Sequence, residues 1–89
     1  MMDLVLYGRK DCHLCDEMKQ DVEMVSSGFP VSLTVIDVDS DAALASRYGE
    51  EVPVLMLNGR KVAKIRITPA KLRWTLVKAR LRDRIGGET

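Results

Sequence analysis

The spacing of apolar positions changes along this chain, and each spacing predicts an element. Asp3 to Tyr7 is a short, mostly apolar run closed by Gly8, the pattern of a buried strand. Arg9 to Cys12 is polar and reads as a loop. Leu14, Met18, Val22 and Val25 then recur at i, i+4, i+8 and i+11, one apolar stripe on a helix. Asp16 and Glu17 suit its first turn, and Gly28 with Pro30 ends it. Val31 to Val38 alternates and is rich in β-branched residues, which predicts a second strand. Asp37, Asp39, Ser40 and Asp41 offer capping oxygens ahead of a short helix over Ala42 to Tyr48, closed by Gly49.

Val54 to Leu57 is a continuous apolar run, as expected of a central strand covered on both faces. Asn58-Gly59 follows, a strong hairpin signal because both turn positions favour positive φ. The returning strand is expected over Lys61 to Ile67, with Ala63, Ile65 and Ile67 on one face and Lys64 and Arg66 on the other. Thr68-Pro69 reads as an N-cap with proline in the first helical position. The last helix is expected to run to about Arg84, with Ala70, Trp74, Val77 and Leu81 facing inward. Trp74, Met18, Met24 and Met56 are read as packing residues. The order is β-α-β-α-β-β-α. Connections containing helices imply parallel pairing of the first two strands, and the Asn58-Gly59 turn forces antiparallel pairing at the end. One domain is expected over residues 1–85, with a tail at 86–89.

Composition narrows the class. Eighty-nine residues that are 46% apolar and 30% charged build a single small core. No apolar run approaches the roughly 20 residues of a membrane helix, and Met1 to Tyr7 leads directly into Gly-Arg-Lys-Asp without a long apolar segment. The expected compartment is the cytoplasm, with no membrane partner. Up to Glu51 there are four basic residues against eleven acidic ones, a balance of −7; from Val52 onward ten face two, a balance of +8. Such polarity either solvates two faces or steers a partner. The basic residues of the last helix lack aromatic interleaving and any nucleic-acid motif, so nucleic acid is not expected among the partners.

The chemistry lies in Cys12-His-Leu-Cys15, the only two cysteines of the chain. A bridge across two intervening residues closes almost no loop and stabilises little, so reactivity explains the pair better than structure does. The motif falls where the first loop enters the first helix. Unsatisfied amides and about half a positive charge at a helix N-terminus favour an anion there, and the thiolate is the reactive form of cysteine. Cys15, one turn on, lies on the same face. Cys12 is thus the candidate nucleophile and Cys15 the resolving thiol. Arg9, Lys10 and a protonated His13 would favour the Cys12 thiolate, whereas Asp11, Asp16 and Glu17 would oppose it. A zinc site wants four ligands, and this chain offers two thiols with one histidine between them. No resident metal or tightly bound cofactor is expected.

With the motif set after the first strand and followed by this element order, the chain resembles the glutaredoxins of the thioredoxin-fold superfamily. It resembles more closely a group of short glutaredoxin-like proteins whose N-termini read much like Leu4-Val-Leu-Tyr7-Gly8…Cys12-His-Leu-Cys15-Asp16. The resemblance implies a thioredoxin-like α/β fold, a four-stranded mixed sheet flanked by helices. It also implies that Val52-Pro53 is a cis peptide facing the cysteines, with the backbone of Val52 pairing with bound substrate in strand fashion. The departures are local. Glutathione-binding members usually carry Thr-Val-Pro where this chain has Glu51-Val52-Pro53. Their Gly-Gly turn and acidic cap are replaced here by Arg66-Ile-Thr-Pro69, and the aromatic residue common within their C-x-x-C by His13 and Leu14.

The resemblance implies a thiol–disulfide oxidoreductase acting on a disulfide-containing protein or small molecule as a monomer, recharged by glutathione or a flavoprotein reductase. Two other readings remain open at this point. One is a dimeric iron–sulfur or metal-binding module held through Cys12. The other is a redox-silent interaction domain that docks a partner through its polarised charge.

Overall fold

The structure is a computed structural model that describes residues 1–86. Its elements are β1 (Met2–Gly8), α1 (His13–Ser26), β2 (Val31–Asp37), a 3-10 turn over Val38–Ser40, α2 (Ala42–Tyr48), β3 (Val54–Leu57), β4 (Arg60–Lys64) and α3 (Pro69–Gly86). The four strands form one sheet in the order β2-β1-β3-β4. β1 runs parallel to β2, pairing Leu4 with Leu33, and antiparallel to β3, pairing Tyr7 with Val54. The last two strands form the antiparallel hairpin, and Asn58 (φ 51°) and Gly59 (φ 82°) make its turn with positive φ. Asn58 also ties this turn to β1: Asp3 N–H donates to its Oδ1 (2.9 Å) and Asn58 N–H donates to Asp3 O (2.8 Å). The α/β class, the element order and the mixed sheet agree with the sequence reading.

Alternation along β1 sends Met2, Leu4 and Leu6 to one face, where they are buried with Met18 and Val22 of α1, Leu55 and Leu57 of β3, and Leu72 and Leu76 of α3. The other face is smaller. There Val54 packs with Val38 and Tyr48, and the Tyr7 and Tyr48 rings stack at 4.6 Å between centroids. The sheet is thus covered by α1 and α3 on one side and by α2 on the other. Its C-terminal edge at β1 meets the start of β3.

Three expectations change. The inward stripe of α3 is Leu72 and Leu76, both fully buried, while Trp74 is 59% and Leu81 50% exposed. At 100° per residue the two sets lie on opposite sides of the helix, and both satisfy its period; periodicity alone does not say which faces in. Met24 is likewise 62% exposed rather than packed. Second, the returning strand ends at Lys64. Ile65 adopts φ 67°, which breaks the alternation, and a register shift at Leu55/Met56 leaves both Val62 and Ala63 half-buried. Third, the second strand stops at Asp37, whose carboxylate accepts the N–H of Asp39 (2.9 Å) and turns the chain, so that Val38 begins the 3-10 turn. The last helix reaches Gly86; the rest of the tail expected over 86–89 lies outside the described residues.

Candidate active site

The segment from Gly8 to Cys15 carries the candidate chemistry, and each step of it has a local cause. β1 ends at Gly8, whose bare Cα lies flush against Cys15: a methyl group there would stand 3.4 Å from Cys15 Cβ and 3.5 Å from its Sγ. Asp11 then takes φ 57°, a left-handed conformation that aspartate tolerates better than most residues, and this reverses the chain into α1. Cys12 is the N-cap of the helix with extended backbone, its carbonyl accepting from Asp16 N–H (3.1 Å). Its Sγ accepts the N–H of Cys15 at 3.2 Å. Cys12 and Cys15 are joined as a disulfide with Cα atoms 5.2 Å apart.

The two sulfurs are not equivalent. Cys15 is buried (6% exposed) while Cys12 is half-exposed, so an incoming reactant meets Cys12 first. A helix N-terminus also presents its amides and positive dipole end to that sulfur. Accessibility and electrostatics therefore single out the same atom.

Arg9, expected to bias the thiolate, has its guanidinium engaged elsewhere. Nε and Nη2 donate to the two carboxylate oxygens of Asp39 (2.9 and 3.1 Å), and Nη1 donates to Gly49 O (3.1 Å). Asp39 raises the Arg9 pKa above its ordinary value, first through the hydrogen bond and then through its charge. The guanidinium thus ties the loop before Cys12 to the segment leading toward Pro53. His13 is the first residue of α1; its Nε2 lies 3.4 Å from Glu17 Oε2. Lys10 is exposed and, with Arg9, Lys19, Asp16 and Val35, borders an open hollow of about 330 Å³ that reaches Cys15.

Val52–Pro53 is a cis peptide, as the resemblance implied. The pairing of Tyr7 with Val54 puts Pro53 at the same end of the sheet as the loop leaving Gly8. Pro53 is buried, and its carbonyl accepts from Ile65 N–H (2.7 Å). Val52 is half-buried, and among the described residues no backbone hydrogen bond uses its N–H or C=O. On the other side of α1, Leu14, Ile65, Ile67 and Pro69 line a second open hollow of about 450 Å³, with Glu17, Asp21, Arg66 and Lys71 on its wall.

Asp39, Gly49 and Ile65 belong to this region but escape sequence reasoning. The partners of Arg9 lie 30 and 40 positions away, beyond any local spacing rule. Asp39 looks like one more capping carboxylate, yet the caps are made by Asp37 and by Asp41, which accepts from Ala43 N–H (2.7 Å). Nothing in the apolar pattern marks Ile65 as left-handed.

A cysteine pair capping a helix and a cis-proline loop at the same end of a four-stranded sheet of this order define a thioredoxin-fold protein of glutaredoxin type. Residues 3–86 match the glutaredoxin-like domain model (DUF836), and the chain belongs to that family. Among solved structures, the X-ray structure of target protein XcR50 from X. campestris is 37% identical, covering 84% of this chain and 96% of that one, with a TM-score of 0.72. Protein Ne2328 from Nitrosomonas europaea is 28% identical over 84% of this chain and 91% of its own (TM-score 0.71). A mutant thioredoxin from Halobacterium salinarum NRC-1 is 27% identical over 86% and 73% (TM-score 0.66). No curated protein is significantly similar in sequence. Among the described residues no helix is long and apolar enough to cross a membrane.

Proposed function

We propose that this protein, a single domain over residues 1–85, is a thiol–disulfide oxidoreductase whose working couple is Cys12–Cys15. The observation that carries the reading is the half-exposed Cys12 Sγ, held at the N-terminus of α1 by the Cys15 N–H and bonded to the buried Cys15. In the reduced protein the Cys12 thiolate attacks one sulfur of a substrate disulfide; that S–S bond breaks, and the departing sulfur takes a proton. The Cys15 thiolate then attacks Cys12 in the mixed disulfide, releasing the second substrate thiol and re-forming the Cys12–Cys15 bond. Two electrons pass from the protein to the substrate. Two glutathione molecules, or a flavoprotein reductase, restore the dithiol.

The substrate is a disulfide in a polypeptide or small molecule, aligned in strand fashion along Val52 beside Pro53. The unused Val52 N–H and C=O support that role, as does the open hollow around Leu14 and Ile65. Among Arg9, Lys10 and His13, only Lys10 makes no ion pair among the described residues, which leaves it the best placed to favour the Cys12 thiolate. The protein works as a monomer in the cytoplasm, without a tightly bound cofactor.

Redox titration in glutathione buffers, read by intact mass after alkylation, tests this directly. A two-electron transition that removes two alkylation sites is expected, with a glutathione adduct on the Cys15→Ser variant at Cys12. Unchanged disulfide reduction by Cys12→Ser would end the proposal.

A further inference from the structure

Helix α3 carries more apolar surface than the core accepts. Leu72 and Leu76 satisfy the sheet, yet Ala70, Trp74, Val77 and Leu81 form a second stripe on the opposite side of the helix, with Trp74 and Leu81 protruding. Arg73 and Arg80 run along one flank of this ridge, and Lys71, Lys78 and Arg82 along the other. All five cations are exposed, and none takes part in an ion pair among the described residues. Lys78 Nζ lies 6.0 Å from the Trp74 ring centroid, its stem along the ridge. Asp83, the acidic residue of α3, pairs instead with the N-terminal amine (3.8 Å).

We propose that this face of α3 adsorbs to anionic lipid bilayers, lying in the headgroup plane without crossing. Three features favour a lipid surface over other occupants. Trp74 protrudes with cations on both flanks, and Val77 and Leu81 share an open hollow with the exposed Met24 of α1 on the Arg73–Arg80 side; in-plane helices insert apolar side chains and extend basic ones to headgroups on either side. The charge complements a surface of distributed negative charge, where each lysine or arginine strengthens binding roughly five- to six-fold. A second copy packed ridge to ridge about a two-fold axis would bring cations against cations, which disfavours a symmetric dimer. Cys12 caps α1 at the end nearer Pro69, so the disulfide lies at one end of the helical layer and not on the ridge. The inference does not rest on the redox reading.

The experiment has a built-in reporter, because Trp74 is the only tryptophan. The full-length oxidised protein is mixed with vesicles of equal parts phosphatidylcholine and phosphatidylglycerol, with phosphatidylcholine vesicles, and with polyglutamate. A blue shift of Trp74 emission and co-sedimentation are expected with the anionic vesicles only, weakening as salt is added. Removing two cations together, Lys78→Gln with Arg80→Gln, should weaken vesicle binding about 30-fold. Both side chains are exposed, so the variant should keep its far-ultraviolet circular dichroism, and Cys12→Ser should bind as the unaltered protein does. Absence of shift and sedimentation with anionic vesicles overturns the proposal. So does full binding by the double variant, and an equal shift with polyglutamate would assign the face to an acidic polypeptide instead.

Discussion

Gly49 stands at the end of α2 with ordinary helical backbone, so a need for positive φ does not account for a glycine there. Close approach does: a methyl group on Gly49 would stand 3.0 Å from Arg9 Nη2 and inside contact distance of the Ala45 carbonyl oxygen. The side chain could yield but the helix carbonyl could not. Gly49→Ala should therefore cost about 1–3 kcal/mol, read as a lower midpoint in urea. In the Arg9→Ala background the added cost should shrink only partly, since the clash with Ala45 remains. Equal costs in the two backgrounds would mean that Arg9 does not press on this glycine. Glu51 offers a separate test, through pH. Lys61 Nζ donates to its Oε1 (2.7 Å) and holds the carboxyl below its ordinary value of 4.5, by the hydrogen bond first and by charge second. A carboxyl whose pKa is lowered by folding adds stability above its unfolded pKa and loses it as pH falls through the lower folded value. Both side chains still reach solvent, at 43% and 34% exposure, so screening keeps the contribution small. The clearer reading is the nuclear magnetic resonance titration of the Glu51 side chain, whose midpoint should rise toward 4.5 in Lys61→Met.

Among the elements, α3 separates what a sequence pattern can and cannot say. Because Leu76 is fully buried, Leu76→Ala should cost about 2–5 kcal/mol. Trp74→Ala removes a larger side chain from a site 59% exposed, and should cost less than about 1 kcal/mol; chemical denaturation of the two variants side by side decides between the two inward stripes. Ile65 is the second element-scale test. A β-branched residue at φ 67° pays for a conformation that glycine adopts freely, so Ile65→Gly should raise stability by about 1 kcal/mol. A loss would show that the contacts of Ile65 outweigh its backbone strain. Strand and helix order was legible in the sequence, since strong local cues such as Asn58-Gly59 and Thr68-Pro69 sit between segments of clear period. The sulfur pair and its helix-cap position were legible for the same reason: they lie within one turn of each other. What escaped was every feature set by tertiary contact. The rotation of α3, the left-handed turn that ends β4 and the engagement of Arg9 by Asp39 depend on partners far along the chain, and no spacing rule reaches them.

Taken whole, the chain divides its charge unevenly, with −7 up to Glu51 and +8 after it, and both cysteines lie in the acidic stretch. Arg9 is matched by Asp39. Around the disulfide and its two flanking hollows this leaves Asp11, Asp16, Glu17, Asp21 and Asp37 against Lys10, Lys19, Arg66 and Lys71, a local balance of −1 when His13 is neutral. Two unit charges about 10 Å apart in water interact by roughly 0.4 kcal/mol, so a doubly charged reactant meeting this balance sums several such terms. At low ionic strength the reduced protein should accordingly react with a dicationic disulfide such as cystamine about an order of magnitude faster than with a dianionic one of similar redox potential. Above about 0.1 M salt the Debye length falls below about 10 Å, and the two rates should converge. Stopped-flow thiol–disulfide exchange over a range of salt concentrations measures this. If the anionic disulfide is faster, the field at Cys12 is set by Lys10 and the α1 amides rather than by the acidic half. Lys10→Gln should then reverse the order, whereas under the balance argued here it should widen the existing preference.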